Sequence, residues 1–141
     1  MKLALSAALC LASVATCLII WARNVEIRVS SGFQGLIRIT ADVAAGNPEI
    51  GFLKLVVNVP ESGEVKVANL NIVRRMHRQT ASFTDGSPLP VSFPGDQGLG
   101  VALHVMNTPP TPQVFYFVGT RDELVAYLAE NESHLYAVQR E

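Results

Sequence analysis

Apolar positions along this chain first run unbroken and then alternate. From Leu3 to Ala22 the sequence LALSAALCLASVATCLIIWA carries no charge, and its few polar residues are Ser and Thr. About twenty such residues are what a helix needs to cross a hydrocarbon core of about 30 Å. Trp21 suits the end of such a span, because an indole has one apolar and one wet side, and Arg23 stops the run. With almost no linker, the period then changes to two, the signature of strands. Val25-Glu26-Ile27-Arg28-Val29 is the first, half-buried. Residues 36–43 are the second, with Ile37, Ile39, Ala41 and Val43 on one face. Residues 52–59 are the most apolar and predict a central strand covered on both faces. Pro60-Glu61-Ser62-Gly63 is a turn, and residues 64–73 return as a hairpin partner. Their apolar set slips from Val65 and Val67 to Ala68, Leu70 and Ile72, as a β-bulge would cause.

The same pattern predicts strands over residues 101–106 and 113–118. In the first, Val101, Leu103 and Val105 face inward and His104 outward; the second is apolar on both sides, Phe115 and Phe117 against Val114, Tyr116 and Val118. Gly119 breaks this strand. Thr120 and Glu123 then have the spacing of a capping box, and Asp122 and Glu123 meet the positive end of a helix dipole. Leu124, Tyr127 and Leu128 recur at helical spacing, so this helix docks on the sheet and ends between Asn131 and Ser133, leaving a short strand or frayed tail.

Together these elements predict a mainly β protein. An N-terminal transmembrane helix (residues 1–23) precedes an extracytoplasmic domain (residues 24–141), an antiparallel β-sandwich of about six to eight strands with one C-terminal α-helix. An open antiparallel sheet with the helix on one face is the alternative. The apolar run itself has several readings: an uncleaved signal-anchor, a signal peptide cut near Ala15 or Ala22, a lipoprotein signal ending at Cys17, or a buried core helix. A charge-poor start followed by a long domain places the bulk of the chain outside the cytoplasm, membrane-anchored, or secreted if the run is cleaved.

Charge removes some classes of function. Setting Lys2 and Arg23 aside leaves 9 basic residues against 12 acidic ones, so the outer domain as a whole has no basic field to hold nucleic acid or anionic lipid. Both cysteines, Cys10 and Cys17, lie in the apolar run, so the outer domain has no disulfide framework and no thiol nucleophile. Arg74, Arg75 and Arg78 with His77 form the one basic cluster. It reads either as an edge strand kept soluble by charge or as a contact for lipid phosphates or an acidic partner. Residues 84–100 hold seven Gly and Pro and predict a long loop, a surface excursion or a binding element.

No catalytic set is visible. His77, His104 and His134 are separated by 27 and 30 residues and match no close-spaced metal motif. No serine sits in a nucleophile elbow, and no phosphate-cradling glycine motif lies between a strand and a helix. The sequence therefore points to a non-catalytic, membrane-tethered binding module without cofactor or metal. Its partners are the lipid bilayer through residues 3–22 and an envelope protein or glycan. Its contact residues are Phe33 in the turn over residues 31–35 and Asp85, Phe93 and Asp96 in the long loop. The alternative is an envelope hydrolase whose carboxylates or histidines converge only in three dimensions.

Three short stretches occur in order: Ser31-Gly32-Phe33-Gln34-Gly35, Val59-Pro60-Glu61-Ser62-Gly63 and Phe117-Val118-Gly119-Thr120 followed by an acidic residue pair. This order resembles an uncharacterised family of small bacterial secreted and lipoprotein domains with the pattern P-E-G-F-x-G, I-P-x-S-G, V-G-T-x-E. Ser30 stands where that pattern has Pro. The resemblance spans about residues 25 to 123 and implies a β-rich envelope domain.

Overall fold

The computed structural model describes residues 24–45, 49–51, 54–74, 78–98, 100–106 and 112–137. The apolar run at residues 3–22 lies outside them, as do Arg75 and His77. Among the described residues, no helix is long and apolar enough to cross a membrane. The protein is mainly β, with two sheets and a C-terminal helix.

The first sheet holds Asn24–Val29 (β1), Glu49–Gly51 (β3), Lys54–Val59 (β4), Gln79–Phe83 (β6) and Pro88–Leu89 (β7), in the order β3-β4-β1-β6-β7. The second holds Gly35–Ala41 (β2), Glu64–Val67 (β5), Val91–Ser92 (β8), Ala102–Val105 (β9) and Gln113–Gly119 (β10), in the order β5-β2-β10-β9-β8. Asn71–Arg74 (α1) and Arg121–Ala137 (α2) are helical.

The inward faces of both sheets contribute to one core. Val25, Ile27 and Val29 of β1, Leu55, Val57 and Val59 of β4, Ile37 and Ile39 of β2, and Val114, Tyr116 and Val118 of β10 all belong to it. Most are β-branched, which suits a pleated surface, and each fully buried side chain contributes about 1.5–3 kcal/mol. A polar link crosses the core. Gln79 Nε2 donates to Tyr116 Oη (3.3 Å) and to the Val73 carbonyl (3.2 Å). Burial pushes the Tyr116 phenol up to about 12, against a smaller opposite effect from Gln79.

Several expectations are corrected. The sheets are mixed rather than antiparallel: β1 runs parallel to both β4 and β6, and β2 runs parallel to β5. The centre of the first sheet is β1, not the strand over residues 52–59; β4 lies one place out. The second strand stops at Ala41, because the Asp42 carboxylate accepts the Ala44 amide (3.0 Å) in a turn that leaves Val43 exposed.

The hairpin expected around residues 60–63 does not form. Gly63, at φ +72°, lies so close to β2 that an added Cβ would come within 2.3 Å of the Leu36 carbonyl oxygen. The Gly63 carbonyl accepts the Arg38 amide (2.8 Å). This turn therefore carries the chain from β4 into the other sheet. The slip of apolar residues after Val67 comes from α1 rather than a bulge: Asn69 Oδ1 caps the Asn71 amide (2.9 Å), and Leu70 and Val73 are buried one turn apart.

Arg74 consequently ends a helix and Arg78 precedes β6, so neither lies on an edge strand. Residues 84–100 are not a structureless loop. They contain β7 and β8, and the chain changes sheets at Pro90, whose carbonyl accepts the Leu103 amide (2.8 Å). Val101 is exposed rather than inward. The final helix passes the expected stop at residues 131–133 and runs to Ala137; Asn131 is bonded back to the Tyr127 carbonyl (2.9 Å) instead of breaking it.

The outer face of the first sheet holds a buried carboxylate, Glu26, on β1. It pairs with Lys54 of the neighbouring strand, accepts the Ser82 hydroxyl (2.7 Å) from the other side, and lies 3.4 Å from Arg28. The hydrogen bond from Lys54, then the one from Ser82, hold its carboxyl down at about 2.

Candidate functional site

The outer face of the second sheet is covered by α2, and a cavity opens beside that contact. The helix starts where Gly119 ends β10. A Cβ at this glycine would lie 2.7 Å from the Phe117 ring and 2.8 Å from Glu123 Oε2, so a side chain at this corner would have to displace the ring and the capping carboxylate. The capping box forms as its spacing predicts. Thr120 Oγ1 accepts the Glu123 amide (3.3 Å), and Glu123 Oε2 accepts the Thr120 amide (2.6 Å) and hydroxyl (2.9 Å). Those bonds, the backbone one first, hold the Glu123 carboxyl below its ordinary value.

From this start the helix lays its apolar stripe on the sheet. Tyr127 packs on Phe117 with ring centroids 5.4 Å apart. The β9 strand is tied to the same corner, because the buried His104 places Nε2 2.9 Å from the Gly119 carbonyl. A carbonyl only accepts, so Nε2 carries the proton.

Between α2 and the chain leaving β8 lies a cavity of about 270 Å³. Val105, Met106, Leu124 and Leu128 supply apolar wall, and His104 and Ser92 supply polar groups. Residues 93–96 form a tight turn at its mouth. The Asp96 amide donates to the Phe93 carbonyl (3.0 Å), and Asp96 Oδ2 accepts the Phe93 amide (2.7 Å). Arg121 spans from the helix to this turn, donating from Nη1 to the Asp96 carbonyl (2.5 Å). Phe93 and Val125 line the cavity yet remain 51% and 57% exposed. Two large apolar side chains at the lip of an apolar cavity are a surface that favours burial by another molecule. The volume falls just below the range of about 300–1,000 Å³ usual for small-molecule sites, so its scale is that of an inserted side chain.

Of the four residues expected to make contacts, the fold brings Phe93 and Asp96 into this cavity. Phe33 and Asp85 do not line it. Phe33 is half-buried against the core beneath the Gly63 turn. Asp85 closes its own turn, accepting the Ser87 hydroxyl (2.6 Å) and amide (2.8 Å), which hold its carboxyl below the ordinary value. The two turns meet through Ser31, whose amide donates to Thr84 Oγ1 (3.2 Å). Arg74 and Arg78 lie elsewhere and are exposed, with Arg74 Nη2 bonded to the Gln113 carbonyl (3.3 Å).

Arg121, Val125 and Met106 were not legible as cavity residues. Their only sequence signal was position: one after the cap, one beside the apolar stripe, one at a strand end. Among the described residues, no three His, Cys, Asp or Glu side chains come together to hold a metal ion. Comparison with protein-family models, curated proteins and solved structures finds no match to this chain.

Proposed function

We propose that this chain is a non-catalytic binding module, held on the extracytoplasmic side of a membrane by residues 3–22, that takes an apolar side chain of an envelope protein into the cavity beside α2. The observation that carries this reading is the pair Phe93 and Val125, exposed at the lip of an apolar cavity. A protein partner suits this lining better than a glycan, which needs a dense set of polar groups to replace its hydration. The resemblance to small bacterial envelope domains belongs to the same reading.

The hydrolase alternative rests on His104 and Asp96, which line the same cavity. Each is in structural use, His104 on the Gly119 carbonyl and Asp96 on the Phe93 amide. That occupation favours binding over catalysis.

A photo-crosslinking residue at position 125, in the full chain in its native membrane, tests the proposal. One protein should be captured there, not from a control at Thr80 on the other sheet, and Phe93→Ser should abolish the capture. Equal capture at both positions, or none at 125, removes the assignment. The intact mass of the membrane-extracted protein tests the tether: a chain cut near Ala15 or Ala22 would not be anchored.

A further inference from the structure

Three neighbouring strands of the first sheet start at one end of the molecule. Asn24 is paired with Lys54 on one side; on the other, Val25 is paired with Gln79 and its amide donates to the Arg78 carbonyl (3.2 Å). The short helix α1 closes this end, burying Leu70 and Val73 and leaving Arg74 outside, bonded to the first residue of β10. The fold thus gathers Lys54, Arg74 and Arg78 where β1 begins. Lys54 is committed to Glu26, and nearby Lys66 to Asp42 (3.3 Å). Arg74 and Arg78 are exposed, and among the described residues no carboxylate pairs with either.

The opposite end differs in sign. Val29, Val59 and Phe83 lie in register, and the turns that follow them carry the exposed Glu61 and Asp85. Six residues of strand separate the two ends by about 20 Å, twice the screening length of about 10 Å in moderate salt.

We propose that the end where β1 begins is a lipid-facing surface, on which Arg74 and Arg78 contact the phosphates of anionic headgroups. The inference rests on the anchoring part of the proposed function. One residue, Arg23, separates the apolar run from β1. A span ending there delivers Asn24 at headgroup level, so this end faces lipid whatever its composition. Two exposed arginines there, with Glu61 and Asp85 at the far end, orient the domain upright on an anionic surface. The tether supplies a high effective concentration, so the contact has only to set orientation. Each basic side chain near an anionic bilayer strengthens the contact about fivefold, and two together about 25-fold.

The test uses the full chain in vesicles of phosphatidylcholine alone and of an equal mixture with phosphatidylglycerol. A fluorescent residue at Thr80, near the proposed contact, or at Glu61, at the far end, reports quenching by headgroup-spin-labelled lipid. In the anionic vesicles the Thr80 probe should be quenched well above the Glu61 probe, and high salt should remove the difference. Replacing both arginines (Arg74→Gln with Arg78→Gln) should lower the docked-to-free ratio about 25-fold, and the two Lys replacements should retain it. Equal quenching in neutral and anionic vesicles, or no response to the Gln replacements, overturns the proposal while flotation of the chain with the vesicles keeps the anchor. A chain that does not float removes anchor and proposal together.

Discussion

On the outer face of the first sheet, burial is managed by charge: Glu26 lies buried between Lys54 and Ser82, with Arg28 alongside. On the outer face of the second sheet, Phe115 and Phe117 are buried, Phe117 beneath Tyr127 of α2. A sheet face can be screened by a network that satisfies its one buried anion, or by a second layer that covers its aromatic residues. The network closes locally, because its members sit on adjacent strands. The second layer arches over the sheet from a single corner at Gly119, and where the helix and the turn over residues 93–96 do not meet, a cavity remains. The cavity follows from the layered solution.

The comparison breaks most severely at Phe117. Phe117→Ala removes a buried ring and the partner of Tyr127, and should cost about 3–5 kcal/mol in urea unfolding. A loss below 1 kcal/mol would mean that α2 does not depend on this contact.

Glu26→Gln tests the charged solution and should cost about 2 kcal/mol near neutral pH, because it leaves Lys54 without its carboxylate. The pH dependence has a defined sign. The folded carboxyl is held at about 2, below its ordinary 4.5, so its stabilisation is complete above pH 4.5 and is lost as pH falls toward 2. The gap in stability between wild type and Glu26→Gln should therefore shrink across that window. A gap that stays constant would show that the ion pair contributes nothing.

Thr120→Ala removes the hydroxyl that caps α2 and should cost about 1 kcal/mol. The loss should appear as faster amide exchange in the first helical turn. Smallest of all, Val125→Ala should change stability by less than about 0.5 kcal/mol, because the side chain is more than half exposed. Its effect should fall on partner capture, and a large stability loss would mean that Val125 packs as core.

Legibility in the sequence followed the range of the interaction. The cap of Thr120 and Glu123 spans four residues, so its spacing was enough. The two apolar faces of β10 were legible because Phe115 and Phe117 alternate with Val114, Tyr116 and Val118 without a polar interruption. Strand β6 is not legible because its inward side, Gln79, Ala81 and Phe83, mixes a polar, a small and an aromatic residue and so shows no apolar alternation. The pair β7 and β8 was missed because two-residue strands around Pro90 look like loop. The period of two groups Leu70 with Ala68 and Ile72, whereas Leu70 is buried with Val73, at the spacing of three that a helix sets. Two of the four expected contact residues line the cavity, since Phe93 and Asp96 stand out in a Gly/Pro-rich stretch; Met106, Arg121 and Val125 do not.

By itself the sequence determined the parity of the long strands, the start of the final helix and the apolar run at the N-terminus. Each depends on residues within a few positions of one another, where period and capping act directly. Only the tertiary structure decided which strands pair, and therefore that β1 is central, that the sheets are mixed, and that Arg74 and Arg78 gather at its beginning. Pairing is set by contacts between distant residues, and here a single close approach, Gly63 on the Leu36 carbonyl, sends the chain from one sheet to the other.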